Sequence, residues 1–127
     1  MNTRRSSVGV GVVGSFLYAV GGYDGAQRQC LSSVERYDPD ADEWTKGLDK
    51  TGLDIISSKT FYSVAEMTTR RSGAGVGVVD GLLYAVGGHD GPTVRKSAEV
   101  FNPQVYFLKC FILLLYVPFY SLIHGRK

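Results

Sequence analysis

The sequence predicts an all-β chain built from two copies of one small antiparallel sheet, and three observations predict it. Residues 1–25, MNTRRSSVGVGVVGSFLYAVGGYDG, recur as residues 67–91, MTTRRSGAGVGVVDGLLYAVGGHDG. Met1 and Met67, Arg5 and Arg71, Tyr18 and Tyr84, and the doublets Gly21-Gly22 and Gly87-Gly88 all stand 66 positions apart, and a fixed offset is the mark of a repeat architecture. Within each copy, apolar residues alternate with small or polar ones at a period of two, the strand period. Gly doublets and an Asp-Pro pair then punctuate the runs where turns belong.

The elements follow in order. Val8, Val10 and Val12 alternate with Gly9 and Gly11, and glycine on alternate positions leaves one face of the strand bare for close approach. Phe16–Val20 is a second β-rich run that ends on Gly21-Gly22, where positive φ stops the strand. Ser33-Val34-Glu35-Arg36-Tyr37-Asp38-Pro39 alternates again and turns at Asp-Pro, and Glu43-Trp44-Thr45 is a short fourth strand with the sole Trp. Tyr62–Pro103 repeats the pattern, so eight strand positions are expected at most.

The Gly doublet, the Ser-Val-Glu-Arg-Tyr-Asp-Pro segment and Trp44, 22 residues past Gly22, resemble a kelch repeat, one blade of a β-propeller. The wording is most similar to the kelch-like subgroup typified by kelch-like proteins 2 and 3, substrate adaptors of cullin-3 ubiquitin ligases. The resemblance covers 1–45 and 62–103. It implies two four-stranded blades of an incomplete β-propeller: repeat 1 over 1–45, an inserted loop over 46–61, an incomplete repeat 2 over 62–103, and a non-kelch apolar tail over 104–127. The insertion is read from the period, because kelch repeats recur at about 50 residues and the offset here is longer. An excursion of that kind costs little when it closes on the surface.

The tail departs from the blade pattern. Leu108 stands where the first copy predicts a Trp, and Val105–Tyr120 is almost uncharged. The expectation is a foreign tail of a truncated or aberrantly joined product, prone to self-association. Two alternatives are Val105–Leu108 serving as a surrogate outer strand and a membrane helix over 105–123. The helix is disfavoured because Lys109 and Pro118 interrupt a span that needs about 20 apolar residues.

Two look-alikes are set aside. The Arg pair and apolar run of residues 1–20 mimic a signal peptide, but the same words recur in mid-chain. Gly9–Gly14 spells G-x-G-x-x-G, yet a dinucleotide site needs a helix after the strand, whereas Phe16–Val20 is another strand. The second copy also has Asp80 in place of the third Gly.

Composition narrows the function. The 127 residues include 16 Gly, are 20% charged and carry a net charge of +2, too near neutrality for a nucleic-acid partner. Cys30 and Cys110 lack disulfide or metal spacing, which fits a reducing, cytoplasmic compartment. His89 and His124 lie far apart with no nucleophile or carboxylate at a catalytic spacing. No enzyme, metal or cofactor is expected, and the chain reads as a protein-binding module.

The resemblance also implies where it binds. Kelch-like adaptors grip substrate peptides, often acidic ones, on the rim formed by the loop entering the inner strand and the loop after the Gly doublet. The matching positions are Arg5, Arg71, Tyr23 and His89, with Arg4 and Arg70 beside them. Guanidinium forks suit bidentate capture of carboxylates; the alternative is that each Arg caps a neighbouring blade's backbone. Asp24 and Asp90 are expected to stabilise their Asp-Gly turns. Ser7 follows Arg4-Arg5 as a basophilic kinase prefers, and its phosphate would compete with an acidic ligand for those guanidiniums. Cullin-3 would be reached only through BTB and BACK domains absent from these residues. The alternative partner is actin, for a cytoskeletal kelch protein.

Overall fold

The computed structural model describes residues 1–46, 64–103 and 112–114. The first blade comprises β1 (Gly9–Val13), β2 (Phe16–Val20), β5 (Val34–Asp38) and β6 (Glu43–Lys46), paired antiparallel in that order. Between β2 and β5 the chain forms a ribbon, β3 (Tyr23–Asp24) with β4 (Gln29–Cys30). The second blade repeats the plan with β7 (Gly75–Val79), β8 (Leu82–Val86), β11 (Ala98–Phe101) and β12 (Ile112–Leu114), and its ribbon is β9 (His89–Asp90) with β10 (Thr93–Val94). The all-β expectation holds. The two ribbons are additions, since the sequence pattern marked these stretches as loops.

Register places each glycine. In β1, Gly9 pairs with Val20 and Gly11 with Tyr18, so both glycines share a face with these core residues. That face lies against the second blade. A Cβ on Gly9 would fall 2.3 Å from Val76 Cγ2, and one on Gly11 would fall 2.6 Å from Leu83 Cδ1. The bare positions are therefore sockets that receive the aliphatic knobs of the neighbouring blade. Around them Val13, Tyr18, Val20 and Val34 pack on Leu83, Ala85 and Phe101, joined by Val64 and Met67 from the segment between the blades. The Tyr18 and Phe101 rings sit 5.8 Å apart at 59°. Each such fully buried side chain contributes about 1.5–3 kcal/mol of transfer free energy, so the core of this chain is the joint between its blades rather than the interior of either sheet.

The outer strands differ between the copies. On the first blade Trp44 lies opposite Tyr37, with ring centroids 5.0 Å apart. On the second, Ile112–Leu114 pairs with β11 and supplies the fourth strand. Lys46, expected as the first residue of the insertion, is the last of β6. The rest of the insertion, 47–61, and the proposed strand Val105–Leu108 lie outside the described residues. So do Cys110, His124 and, apart from 112–114, the apolar tail and the membrane-helix reading of 105–123. Among the described residues no helix is long and apolar enough to cross a membrane.

Candidate functional site

The rim is built by the segment that leads to each inner strand, in which an outward arginine precedes an inward one. In Arg4-Arg5-Ser6 and Arg70-Arg71-Ser72 the middle residue points into the protein. The Arg71 side chain is completely buried. Its Nε donates to Glu99 Oε2 at 2.9 Å, its Nη1 to the carbonyls of Gly87 (2.8 Å) and Ser97 (2.9 Å), and its Nη2 to Ser97 Oγ at 2.7 Å. Arg5 repeats each contact with Glu35 (3.0 Å), Gly21 O (2.8 Å), Ser33 O (2.9 Å) and Ser33 Oγ (2.9 Å), and its side chain is likewise fully buried. The guanidiniums of Arg5 and Arg71, expected at the rim, are thus engaged inside the protein and are not presented on its surface. They are spent on Gly21 O and Gly87 O, just past the ends of β2 and β8, and give a second donor to Ser33 O and Ser97 O, which also accept from Gly21 N and Gly87 N. Both do cap backbone carbonyls, but of their own blade and not, as the alternative had it, of the neighbouring one.

The carboxylates that complete this network escaped the sequence reading. Glu99 accepts hydrogen bonds from Thr68 N (2.6 Å), Thr68 Oγ1 (2.9 Å) and Thr69 Oγ1 (2.7 Å) besides Arg71. Glu35 accepts from Asn2 N (2.6 Å) and Thr3 N (3.3 Å) besides Arg5. A signal for them was present, because both copies contain Ser-x-Glu: Ser33-Val34-Glu35 and Ser97-Ala98-Glu99. For Glu35, burial pushes the carboxyl up, but the Asn2 N–H, the Arg5 guanidinium and the Thr3 N–H together outweigh it and hold the group below its ordinary value. Glu99 is lowered in the same way, burial being overcome by Thr69, Thr68 and Arg71.

A carboxyl with a folded value below its unfolded one binds protons more readily in the unfolded chain. The stability contributed by Glu35 and Glu99 is therefore complete above their unfolded value of about 4.3, and it is lost as pH falls through the lowered folded values. Urea midpoints followed from neutrality into that acid window should hold level and then drop. Glu99→Gln should start from a lower midpoint and drop less steeply. An equal acid slope in the two proteins would remove Glu99 from this account.

The residues that precede the buried arginines face outward. Arg4 and Arg70 are exposed, and among the described residues neither has a hydrogen-bond or ion-pair partner. Tyr23 and His89 lie on the ribbons. Each is tied to its incoming segment by an antiparallel bridge, Ser6 with Tyr23 and Ser72 with His89. Ser6 N donates to Tyr23 O at 3.0 Å, and Ser72 N donates to His89 O at 2.8 Å. His89 is exposed, with Nδ1 2.8 Å from Ser72 O, and Tyr23 is half-buried. The structure thus ties Tyr23 and His89 to the serines two positions after Arg4 and Arg70.

Between the blades lies a groove of about 250 Å³, whose lining includes Arg70, Glu66, Asp24, Gln27, Gln29 and Thr3. Glu66 offsets part of the Arg70 charge, so attraction here depends on directed donors more than on net charge. The Asp24 carboxylate is already engaged, since its Oδ1 accepts from Ala26 N (2.9 Å) and Gln27 N (3.3 Å) and holds the ribbon turn. Asp90 instead pairs with Arg95 at 3.2 Å. The Arg70 guanidinium and the Gln27 amide therefore provide the donors, while Gln29 Nε2 is engaged by Gln27 Oε1.

Ser7 is exposed, with φ of 49°, where the second copy has Gly73 at 68°. The Arg5 guanidinium that a phosphate there was expected to engage is buried, and of the two expected partners only Arg4 is on the surface. Among the described residues no three His, Cys, Asp or Glu side chains come together as a metal site would require.

Comparison with known proteins matches the Kelch motif model to residues 4–47 and 70–105. A Kelch repeat and BTB domain-containing protein of Caenorhabditis elegans is 33% identical over 87 residues, 68% of this chain and 12% of the relative. Human Kelch-like protein 23 is 26% identical over 99 residues, 78% of this chain and 15% of the relative. Mouse Kelch-like protein 13 is 29% identical over 102 residues, 78% of this chain and 13% of the relative. The chain thus spans 12% to 15% of the length of these curated relatives. The solved structure of YjhT superposes with a TM-score of 0.65 at 15% identity, covering 91% of this chain and 39% of that one, a likeness that concerns the fold alone.

Proposed function

The chain belongs to the kelch-motif family, and from that premise we propose that it is part of the substrate-recognition propeller of a ubiquitin-ligase adaptor of the cullin-3 class. Its affinity with kelch-like proteins 2 and 3 in particular, and a cytoplasmic location, belong to the same reading. The ligand is an acidic segment of a substrate protein, held at the rim by Arg4, Arg70, Tyr23 and His89. Two relatives named as Kelch-like proteins and one named for both Kelch repeats and a BTB domain support the adaptor reading.

One observation carries the choice of ligand. Of each Arg pair, one member is consumed by the interior while Arg4 and Arg70 are exposed and have no partner among the described residues, two positions before the serines that bridge to Tyr23 and His89. Arginine left without a carboxylate partner at a rim is suited to bidentate capture of one from outside. The aromatic faces of Tyr23 and His89 add apolar area next to the charge.

The test is a titration of the 127-residue chain with a fluorescent Glu-rich peptide and its Gln-substituted twin. The acidic peptide should bind and the neutral one should not. Arg70→Ala should weaken binding by about 1–3 kcal/mol, the range for a charge-assisted hydrogen bond. Equal affinity for both peptides, or an unchanged affinity in Arg70→Ala, would reject the acidic-ligand reading.

A further inference from the structure

The two copies keep their offset of 66 as far as Gly25 and Gly91, but Ser33 and Glu35 match Ser97 and Glu99 at an offset of 64. The difference falls in the ribbon turns. Four residues, Gly25-Ala26-Gln27-Arg28, join β3 to β4, whereas Gly91-Pro92 alone joins β9 to β10. The longer turn belongs to the ribbon at the joint between the blades, where Cys30 Sγ accepts from Gly91 N at 3.4 Å. Its base is fixed, because Asp24 Oδ1 accepts from Ala26 N and Gln27 N. Gln27 and Gln29 both line the groove that Arg70 also lines, and Arg28 stands between them in the chain.

Nothing local calls for arginine at this place. Arg28 has φ of 53°, in the left-handed region that suits Gly, Asn or Asp. Among the described residues the other non-glycine positions with positive φ are Ser7, Asp42 and Asp80. Ser7 and Asp80 stand where the other copy has Gly73 and Gly14, also at positive φ, and Asp42 is of a type that tolerates the region. Arg28 is the only long charged side chain held in this way. It is exposed, and it has no hydrogen-bond or ion-pair partner among the described residues. Strained backbone of this kind gathers at ligand clamps. The groove also needs a second cation to hold an acidic segment, because Arg70 shares the lining with the carboxylates of Glu66 and Asp24.

We propose that Arg28 is a specificity-determining residue of the rim, presented by the lengthened turn so that an acidic segment is gripped at two carboxylates, one by Arg70 and one by Arg28. The assignment rests on the acidic-ligand reading and narrows it to a segment with at least two acidic residues. The second blade, with its two-residue turn, has no counterpart to Arg28, so the preference is built at the joint alone.

The experiment titrates the 127-residue chain and Arg28→Asn with the fluorescent Glu-rich peptide, with a version that keeps a single Glu, and with the Gln-substituted twin. The parent should prefer the Glu-rich peptide to the single-Glu version. Arg28→Asn should weaken the Glu-rich peptide by about threefold to fivefold at low salt, the upper range for an exposed ion pair, and should narrow that preference. The fall of its affinity with added salt should flatten, since one screened charge pair has gone. Its urea midpoint should stay level or rise, because Asn accepts the left-handed conformation more readily than Arg. Unchanged affinity or an unchanged salt slope in Arg28→Asn, while Arg70→Ala still weakens binding, overturns the role of Arg28 and leaves the acidic-ligand reading standing. A lower urea midpoint overturns it too, by showing that the arginine serves the turn. Equal affinity of the parent for the Glu-rich and Gln-substituted peptides removes both.

Discussion

Replacing Arg71 with leucine should destabilise the chain by about 3–5 kcal/mol, the range for breaking a buried ion pair from one side. The cost is not the loss of attraction alone. Glu99 would remain fully buried with its charge uncompensated, and the carbonyls of Gly87 and Ser97 would lose the donor they share. A domain is stable by about 5–15 kcal/mol in total, so this single change removes a large share. Urea unfolding should show a lower midpoint with an unchanged slope. Arg70→Leu alters the exposed neighbour and should stay within about 0.5 kcal/mol of the parent. Removing Glu99 together with Arg71 should recover only part of the loss, because the Gly87 carbonyl and the Thr68 N–H lose the partners that Arg71 and Glu99 give them. A loss below about 1 kcal/mol in Arg71→Leu, the net worth of an ordinary hydrogen bond, would sink the view that this arginine anchors the blade.

The second large effect sets identical sequence positions against different surroundings. Gly21 has φ of 60° and lies at the joint; an added Cβ would fall 2.3 Å from Arg71 O and 3.2 Å from Leu31 O. Both obstacles are backbone, and Arg71 O also accepts the bond from Gly22 N that ties the blades together. Gly21→Ala should therefore cost about 2–5 kcal/mol, combining about 1–2 for the left-handed conformation with about 1–3 for overpacking. Gly87 occupies the same place in the second doublet at φ 68°, but its nearest neighbour to an added Cβ is Arg95 O at 3.7 Å. Gly87→Ala should pay only the conformational part, about 1–2 kcal/mol. Urea midpoints of the two variants decide it: equal losses would mean that conformation alone, and not the close approach of the blades, governs Gly21.

The repeat itself made much of this molecule legible. A segment that occurs twice with its glycines, doublets and turns in the same places can only build the same local object twice, and period-two alternation makes that object a sheet. The strands Phe16–Val20, Val34–Asp38 and Glu43–Lys46 lie where the alternation and the Asp-Pro turn put them. The stretch Gly9–Val13 starts one residue later than the valine pattern indicates. The small ribbons were not visible, because Tyr23-Asp24 and Gln29-Cys30 pair over two residues each, too short for any period to register.

What the sequence alone determined is local: strand identity, the stops at the Gly doublets, and the bare face of the inner strand. Which arginine of each pair faces the interior was decided only by tertiary structure. Arg4 and Arg5 are the same residue in the same loop, and no propensity separates them. The bridge from Ser6 to Tyr23 sets the alternation, and Glu35, 30 residues away, offers its carboxylate on the inner side alone. The sockets follow the same rule. Gly9 and Gly75 are one letter in one repeated word, yet the first is filled by Val76 and the second is open, since occupancy is settled by whether another blade lies against it.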